Sequence, residues 1–477
     1  MGDEITHSHF SRSDFEAFGQ RLQAETRLLG QWFNDKVFSN RVPVCGLELE
    51  AWLIDAQGLP APLNQSFLKK MDDPLVVPEL ARFNVELNVH PHALQGQALT
   101  RLYQGLQQTW ERSQTVASEL DARLVMVGIL PSVEQKHLSL ENMSEQKRYR
   151  ALNQQVLRLR DGEPLMVDIH GHEHLNILHN DVMLESAATS LQLHLKVGVD
   201  DAVRYYNAAQ IVSAPLVAAA SNSPFLFGKD LWDETRIPLF EQSVEVGGFA
   251  GASRGPVRRV SFGTGYAKES LFECFVENAA HFPVLLPIDF EEPAREMRHL
   301  RLHNGTIWRW NRPLIGYDDD GTPHLRIEHR VLPAGPTVLD CIANTAFFYG
   351  LVQALATAEI PPETQLPFAT ARDNFYAVAR DGLDGQITWL DGRKLSVQTL
   401  LLDQLIPLAR YGLGLLDIDP GDRDRYLGIV KARVRNACTG SAWQRAWVAR
   451  HGDDMQALTQ AYYERQQSGE PVHDWSG

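Results

Sequence analysis

Hydrophobic and polar residues alternate along four stretches of the chain, the pattern of β-strands with one buried and one polar face. These stretches are Val42–Ile54, Phe83–Val89, Ser190–Val197 and Leu325–Val331. Helical spacing of apolar residues predicts an opening helix over 14–37 and a long helix over Leu99–Leu120. The chain is therefore predicted to mix helices with a sheet.

The last part of the chain has a different pattern. Asp391-Gly392 predicts a hairpin turn between two short strands, and from Leu400 onward the spacing is mostly helical. Leu427–Val434 and Ala442–Tyr463 are the clearest helical segments there. We expect two regions, with the sheet in residues 1–400 and a helical region, 401–477, packed on it.

Composition limits the function. The 477 residues have 44% hydrophobic content and a net charge of −15, which disfavours nucleic-acid binding because it opposes neutralisation of phosphates. No apolar run approaches 18 residues, and the N-terminus lacks a secretory signal. The four cysteines are far apart. We expect a cytoplasmic protein with small-molecule partners, bound neither to a membrane nor to nucleic acid, while its oligomeric state stays open.

The polar faces of the four strands share one kind of chemistry. In the first strand Leu47 and Leu49 point one way, which leaves Glu48 and Glu50 together on the other face. The other polar faces hold Asn84, Glu86 and Asn88, then Gln192, His194 and Lys196, and finally Arg326, Glu328 and Arg330. A solvated antiparallel sheet would also alternate. Carboxylates and arginines with one imidazole, however, favour Mg²⁺ or Mn²⁺ and phosphate over a zinc site.

Six segments resemble the glutamate–cysteine ligase family, in particular its bacterial carboxylate–amine ligase branch. They are GLELE at 46–50, PELARFNVELN at 78–88, TSLQLHLKV at 189–197, SNSPFLFG at 221–228, LRIEHR at 325–330 and TGSAWQR at 439–445. Their order and wide spread carry the resemblance, since each segment alone is weak. The resemblance implies an α+β, glutamine synthetase-like fold, in which a curved, largely antiparallel sheet covered by helices forms an active-site funnel within residues 1–400.

The resemblance also implies roles for individual residues. ATP would enter the funnel from one side and amino acids from the other, with two or three divalent ions at the neck. The implied metal ligands are Glu48, Glu50, Glu86, His194 and Glu328, and Glu79 is either a further ligand or a surface acid. The implied catalytic residues are Arg330 and Glu328, the cofactor-binding residues Lys196 and Arg330, and the substrate-binding residues Arg236, Gln192 and Arg254.

The implied reaction is ATP-dependent ligation of the glutamate side-chain carboxylate to an amine such as cysteine, as in glutathione biosynthesis. Mg²⁺ or Mn²⁺ would be the cofactor, with ATP as co-substrate. One alternative is a guanidino kinase-type phosphotransferase, and another is a non-catalytic binding module that keeps the fold. The amine is left open because strand spacing does not reveal a substrate pocket.

Two further segments are candidates for a role. The glycine-rich stretch Gly247–Gly265 contains Arg254, Arg258 and Arg259, which makes it either a lid over the intermediate or a surface loop. In HGHEH, the histidines at 170, 172 and 174 would share one face of a strand and could bind a transition metal. With no further ligand evident, a pocket wall or a hydrogen-bonded surface is favoured for them.

Overall fold

The strand with Glu48 and Glu50 lies inside a large sheet, in a computed structural model that describes residues 9–41, 43–246 and 258–476. The helices in these ranges are α1 (Arg12–Asp35), α2 (Asn64–Met71), α3 (Ala98–Ser118), α4 (Lys147–Leu159), α5 (Ala202–Ala220), α6 (Arg236–Ser243), α7 (Phe272–His281), α8 (Arg298–Gly305), α9 (Val338–Ala356), α10 (Pro362–Gln365), α11 (Phe368–Asp381), α12 (Val397–Leu400), α13 (Ile406–Leu415), α14 (Pro420–Arg435), α15 (Gly440–His451) and α16 (Met455–Gln467). The strands are β1 (Val44–Ile54), β2 (Val76–Pro78), β3 (Asn84–Asn88), β4 (His92–Ala93), β5 (Arg123–Val125), β6 (Leu165–His170), β7 (His174–His179), β8 (Ser190–Val197), β9 (Phe225–Leu226), β10 (Lys229–Asp230), β11 (Val260–Ser261), β12 (Trp308–Arg309), β13 (Asn311–Tyr317), β14 (Pro323–Pro333), β15 (Gln386–Thr388) and β16 (Lys394–Ser396).

Eight strands form one antiparallel sheet in the order β13-β14-β8-β1-β3-β2, with β4 and β5 paired to the ends of β1. The sheet is curled into a half-barrel. This confirms the predicted curved, largely antiparallel sheet. The register places Glu50 directly opposite Glu86, and Glu328 directly opposite His194. Because side chains directly opposite each other lie on the same face, the polar residues of four strands converge.

The apolar face of the sheet packs against helices, as the alternation predicts. Leu47, Leu87, Leu193 and Ile327 are at most 2% exposed and belong to one core with α3, α5 and α9. Tyr349 of α9 joins this layer to the strands, since its hydroxyl donates to the carbonyl oxygens of His194 and Gly46 at 2.9 and 3.1 Å. The helices thus hold the strands in register, with the polar face turned away from them.

Helix α9 is long and apolar enough, by length and composition, to cross a membrane. The sequence analysis overlooked this run of residues. In the described part of the chain no other helix passes the same test, and 89% of its most apolar window is buried inside the protein. A core helix has the same composition as a membrane span when protein surrounds it on all sides. Burial explains the apolar length of α9.

The predicted division at residue 400 falls inside a continuous helical run. Helix α12, the π-helical turn Leu401–Leu405 and α13 follow one another without a break. Helix α13 crosses α9 in close contact, because a Cβ atom at Gly350 or Gly412 would overlap the backbone of the other helix. The C-terminal helices therefore pack closely on the helix layer behind the sheet, and the boundary itself stays a prediction.

A buried ion pair fastens the C-terminal helices, which gives a first prediction. Arg433 donates to Asp340 at 2.7 Å, and both side chains are at most 1% exposed. Replacing Asp340 by Ala leaves the guanidinium buried without its anion, so we expect a loss of about 3–5 kcal/mol in unfolding free energy. The exposed pair of Arg410 and Asp424 offers a control, and Asp424→Ala should cost less than about 1 kcal/mol. Urea unfolding measures both changes, and equal losses would contradict the prediction.

Candidate active site

The polar face of the sheet forms one wall of a cavity of about 320 Å³. This wall is made by Glu48 and Glu50 of β1, Gln192 and His194 of β8, and Arg326, Glu328 and Arg330 of β14. Apolar side chains, among them Leu286, Phe290 and Leu302, line another part of the cavity. The charged wall formed by the sheet, called the charged floor below, therefore shares one cavity with an apolar wall. This combination suits a ligand with an anionic end and an aromatic end.

Three predicted ligands form a first acid cluster, made of Glu48, His194 and Glu328. One ligand atom from each lies within 4.8 Å of the others. Glu328 faces His194 across β14 and β8, and Glu48 Oε1 lies 3.1 Å from His194 Nε2. Three side chains from three neighbouring strands thus meet at one point on the polar face.

Three more carboxylates form a second acid cluster, made of Glu50, Glu79 and Glu86, with the same 4.8 Å limit between ligand atoms. Glu50 and Glu86 are cross-strand partners, while Glu79 directly follows the end of β2. The structure thus brings Glu79 into the site. All six predicted ligands fall into these two clusters, and their role in binding metal stays a prediction.

The two clusters differ in charge balance. In the first cluster, burial raises the pKa of Glu328, but Arg312 and Arg330 outweigh it and hold that pKa well below the usual range. For Glu48, burial is likewise outweighed by His194, so its pKa is lowered. Arg312 and Arg330 therefore offset part of the negative charge of the first cluster.

In the second cluster, burial and mutual repulsion outweigh the neighbouring arginines. Burial, followed by repulsion from Glu50, raises the pKa of Glu79 to about 8. Burial and three neighbouring carboxylates raise the pKa of Glu86 well above its ordinary value. Carboxylates held close together in a buried, water-poor site each disfavour the ionised form of the others. A divalent cation would remove this repulsion, which favours the predicted role of the second cluster in metal binding.

Unpaired atoms in the clusters also fit a metal. Among the described residues, His194 Nδ1 and Glu86 Oε2 have no hydrogen-bond partner, while His194 Nε2 contacts only Glu48. Buried polar atoms normally have hydrogen-bond partners, because a buried donor or acceptor without one costs about 1–3 kcal/mol. Oxygen-rich donors with one imidazole suit Mg²⁺ or Mn²⁺. The donor set therefore fits the expected ions.

Arg330 and Gln192 lie between the two clusters. Gln192 Nε2 donates to Glu50 Oε1 at 2.9 Å, and Gln192 Oε1 accepts from Arg330. Arg330 Nη1 is also 3.3 Å from Glu328 Oε2. The register between β14 and β8 shifts between His329 and Leu332, and such irregularities re-aim side chains next to active sites. Arg330 thus faces the cavity, as predicted, and lies within reach of both clusters.

Sequence reasoning missed Arg312. Its guanidinium binds Glu328 with two hydrogen bonds of 2.7 and 3.0 Å, and it lines the cavity. Arg312 sits on β13 directly opposite Glu328. Its strand was not predicted, because the proline and glycine in NRPLIGY hide the alternation. Arg148, Tyr149 and Glu185 were missed as well, since helical and loop segments bring them to the cavity.

The predicted role of Lys196 in cofactor binding does not fit its position. Its ammonium donates to both oxygens of Asp318, at 2.7 and 2.9 Å, and it does not line the cavity. Asp318 also binds His324 and lies in the turn that joins β13 to β14. Lys196 is on the polar face, but it fastens this turn at the outer end of the face.

The predicted contact between Arg236 and a substrate carboxylate does not fit the position of Arg236 either. Arg236 is 1% exposed, and its guanidinium donates to Glu234 and to the carbonyl oxygens of Arg330 and Val331. All of these partners belong to the protein, and the side chain does not line the cavity. Its position instead supports the backbone of β14 at the irregular step next to Arg330.

The glycine-rich stretch is described only in part, and Arg254 lies outside the described residues. Arg259 is buried and donates to the carbonyl oxygens of Thr306 and Pro283, so a lid role for it is wrong. Arg258 is half exposed and lies 3.9 Å from Glu241. A lid over the cavity stays a prediction for the remainder of the stretch.

The HGHEH histidines lie outside the cavity. His170 and His174 are cross-strand partners of a hairpin, and His172 sits in its turn. The prediction that all three share one face is therefore wrong, because the chain reverses between them. Of the two alternatives favoured for these histidines, the structure shows the hydrogen-bonded surface. The other alternative, a wall of the pocket, is not seen, because none of the three lines the cavity.

A second prediction tests whether the acid clusters bind metal. A ligand that binds only the folded protein stabilises it by about 2.7 kcal/mol at a hundredfold excess over its Kd. We therefore expect Mg²⁺ to raise the unfolding temperature in a thermal-shift measurement and Glu48→Gln to reduce this rise. Glu16→Gln, an exposed change on α1, should keep the full rise. An identical rise in the wild type and in Glu48→Gln would count against the first acid cluster as a metal site.

Comparison with known proteins places the chain in a family. The sequence profile of Glutamate-cysteine ligase family 2 (GCS2) matches residues 44–465. The structure of glutamate–cysteine ligase from Francisella tularensis in complex with AMP has a TM-score of 0.50 and 13% identity, over 90% of both chains. A bifunctional glutathione synthetase from Pasteurella multocida has a TM-score of 0.51 and 11% identity, over 92% of this chain and 54% of that one. No curated protein matches the chain by sequence.

At these identities the two solved structures show the shared glutamine synthetase-like fold. The family profile reaches further, because it spans most of the chain, from β1 to near the end of α16. It includes all six residues of the two acid clusters. The chain therefore belongs to glutamate–cysteine ligase family 2, a family of ligases.

Proposed function

We propose that the protein is an ATP-dependent ligase that joins the side-chain carboxylate of glutamate to an amine through an acyl phosphate. The observation that supports this most is that Arg330 and five of the six residues of the two acid clusters line one cavity, with Glu86 behind Glu50 and Glu79. Family membership supports ligation, and the choice of glutamate and the acyl phosphate are our proposals. Cysteine as the amine, a role in glutathione biosynthesis and a cytoplasmic location belong to the same proposal.

The chemistry explains why such a site needs both anions and cations. A carboxylate reacts poorly with an amine until its oxygen becomes a good leaving group. Transfer of the γ-phosphoryl group of ATP to the carboxylate oxygen gives ADP and an acyl phosphate. The amine nitrogen then attacks the acyl carbon, the bond from carbon to the phosphate oxygen breaks, and the nitrogen loses a proton. Each stage gathers negative charge in a small volume.

The protein would manage this charge with two sets of groups. The two acid clusters would hold Mg²⁺ or Mn²⁺, which would supply positive charge to neutralise the phosphate oxygens. Arg330 offers a planar pair of donors for the transferred phosphoryl oxygens, and Glu328 and Gln192 hold it in place. Gln192, which donates to Glu50 and lines the cavity, is also proposed to contact the substrate.

The cavity also offers a place for the base of ATP. Phe290 and Leu302 belong to the apolar side chains that line the cavity. Flat apolar surface of this kind suits an aromatic ring, while the charged floor suits the phosphates. We therefore propose that the nucleotide lies with its base on the apolar wall and its phosphates toward Arg330.

Interception with hydroxylamine tests the proposal without knowledge of the natural amine. With ATP, Mg²⁺, glutamate and hydroxylamine, we expect ADP and the γ-hydroxamate of glutamate in equal amounts. Without glutamate, ADP release should fall to the background. A panel of amines added in place of hydroxylamine should then identify the natural partner by the largest rise in ADP release.

The two alternative functions give different results in this assay. A guanidino kinase-type phosphotransferase would place phosphate on nitrogen and form no hydroxamate. A non-catalytic binding module would release no ADP with any carboxylate. Either result would overturn the proposed ligase function. Metal binding by the acid clusters would still be tested separately by thermal shift.

A further inference from the structure

The hairpin of β6 and β7 presents an exposed face that the proposed ligase reaction does not use. Val167, Ile169 and Leu175 on its other face are buried in the core. The exposed face consists of three cross-strand pairs, Met166 with Leu178, Asp168 with Asn176, and His170 with His174. One half of this face is thus apolar, and the other half carries imidazole and carboxylate groups at the tip of the hairpin.

Three ligand atoms converge at this tip. His174 Nε2 lies 2.6 Å and His170 Nε2 lies 3.4 Å from the same atom, Asp168 Oδ1. The two imidazole rings stack with their centroids 3.9 Å apart and their planes 12° from parallel. Both rings thus present a nitrogen to Asp168 Oδ1.

We propose that Asp168, His170 and His174 bind a transition-metal ion of the Zn²⁺, Ni²⁺ or Cu²⁺ class. Around a tetrahedral ion with bonds of about 2.1 Å, ligand atoms lie roughly 3.4 Å apart. The distance of 3.4 Å between His170 and Asp168 already matches this, while the contact between His174 and Asp168 must widen. The stacked rings must also rotate apart so that each nitrogen lone pair points at the ion, which their exposure permits. The ion would replace the hydrogen in the contact between His174 and Asp168, and a water molecule would fill its fourth coordination position.

The backbone of these ligands is already held in place. Trp232 Nε1 donates to the carbonyl oxygen of His170 at 2.7 Å, and Gln242 accepts at 2.7 Å from the backbone N–H of Asp168. A Cβ atom at Gly171 would overlap the backbone of Leu231, so the turn lies directly on the protein surface. A fixed backbone lowers the entropy lost on binding, since only the side chains must be ordered.

The ligand chemistry separates this site from the acid clusters. Two imidazoles with one carboxylate favour Zn²⁺, Ni²⁺ and Cu²⁺, whereas clusters rich in carboxylates favour Mg²⁺ and Mn²⁺. None of Asp168, His170 and His174 lines the cavity, and all three are exposed. The sequence argument against a metal here was the lack of a further ligand. Asp168, two residues before His170 on the same face, supplies it.

His172 provides a matched control within the same motif. Its Nδ1 lies 3.0 Å from Asp230, a residue that Arg445 also binds at 2.7 Å. It is absent from the group of ligand atoms at the tip. Replacing His172 by Ala therefore removes one histidine of HGHEH without removing a proposed ligand.

Titration with Zn²⁺ tests the site on the full-length, metal-stripped protein. Calorimetry in excess Mg²⁺ gives the Kd and stoichiometry, and Co²⁺ in place of Zn²⁺ gives an absorption band in the visible region. We expect one saturable Zn²⁺ site in the wild type that His172→Ala and Glu48→Gln retain. His170→Ala and His174→Ala should each weaken binding at least about tenfold, because each removes one of three ligands.

Three outcomes would overturn the proposal. The first is wild-type protein that shows no saturable Zn²⁺ binding in excess Mg²⁺. The second is unchanged affinity in both His170→Ala and His174→Ala. The third is loss of binding in Glu48→Gln alone, which would assign the Zn²⁺ signal to the first acid cluster. The three hairpin residues are exposed, so circular dichroism should show folded protein for each variant.

Discussion

Glu86→Gln is expected to lower the rate of ATP turnover by about two to three orders of magnitude, the loss seen when one group that stabilises transition-state charge is removed. The substitution keeps the shape of the side chain. Asn88 Nδ2, which donates to Glu86 Oε1 at 2.8 Å, can donate equally to the amide oxygen. What changes is one negative charge in the second acid cluster.

The same variant should not lose stability when metal is chelated. Burial and three neighbouring carboxylates disfavour the charge of Glu86, so a neutral amide removes a repulsion from the folded state. We expect equal or higher unfolding free energy than the wild type in EDTA, together with the loss of turnover. Unfolded protein, or turnover within about threefold of the wild type, would contradict the assignment of Glu86 as a metal ligand.

Arg330→Lys is expected to lower kcat about a hundredfold, because arginines that stabilise a transferring phosphoryl group contribute 10³ or more and lysine keeps only the charge. The planar guanidinium reaches both Gln192 and Glu328, and a single ammonium cannot reproduce that geometry. KM for ATP should change less than kcat, since the contact is strongest when charge shifts toward the transferred group.

Arg410→Lys serves as the control for this substitution. Arg410 is half exposed on α13 and pairs with Asp424 far from the cavity. Its replacement should leave kcat within about twofold of the wild type. Equal kcat in Arg330→Lys and in the wild type would remove Arg330 from the chemical step.

The strands of the fold were predictable because side chains alternate along a strand. Burial of one face forced apolar residues onto every second position of β1, β3, β8 and β14. That periodicity gave the polar face and its carboxylates without further information. The bounds of β8 agree with the prediction at both ends.

Other parts of the site were beyond the reach of periodicity. Glu79 could not be placed from the pattern, because it lies past the end of a three-residue strand. Arg312 was missed because its strand contains a proline and a glycine. Glu185 and Tyr149 reach the cavity through tertiary packing, which leaves no local signal in the sequence.

Three predictions do not fit the structure, each for a different physical reason. Lys196 shares the polar face, yet the acidic turn at Asp318 binds its ammonium first. Arg236 was assigned by resemblance, and burial commits its guanidinium to Glu234 and to backbone carbonyl oxygens. In HGHEH the reversal of the chain at Gly171 separated His172 from its neighbours, since a turn breaks the alternation of faces.

Transfer of oxygen from glutamate to phosphate tests the central proposal most directly. Glutamate labelled with ¹⁸O in its side-chain carboxylate is incubated with ATP, Mg²⁺ and hydroxylamine, and the released inorganic phosphate is analysed by mass spectrometry. If an acyl phosphate forms, the bond broken by the amine leaves one carboxylate oxygen on phosphate. We therefore predict one ¹⁸O atom in each phosphate released. Unlabelled phosphate formed together with hydroxamate would contradict activation of the carboxylate by phosphorylation.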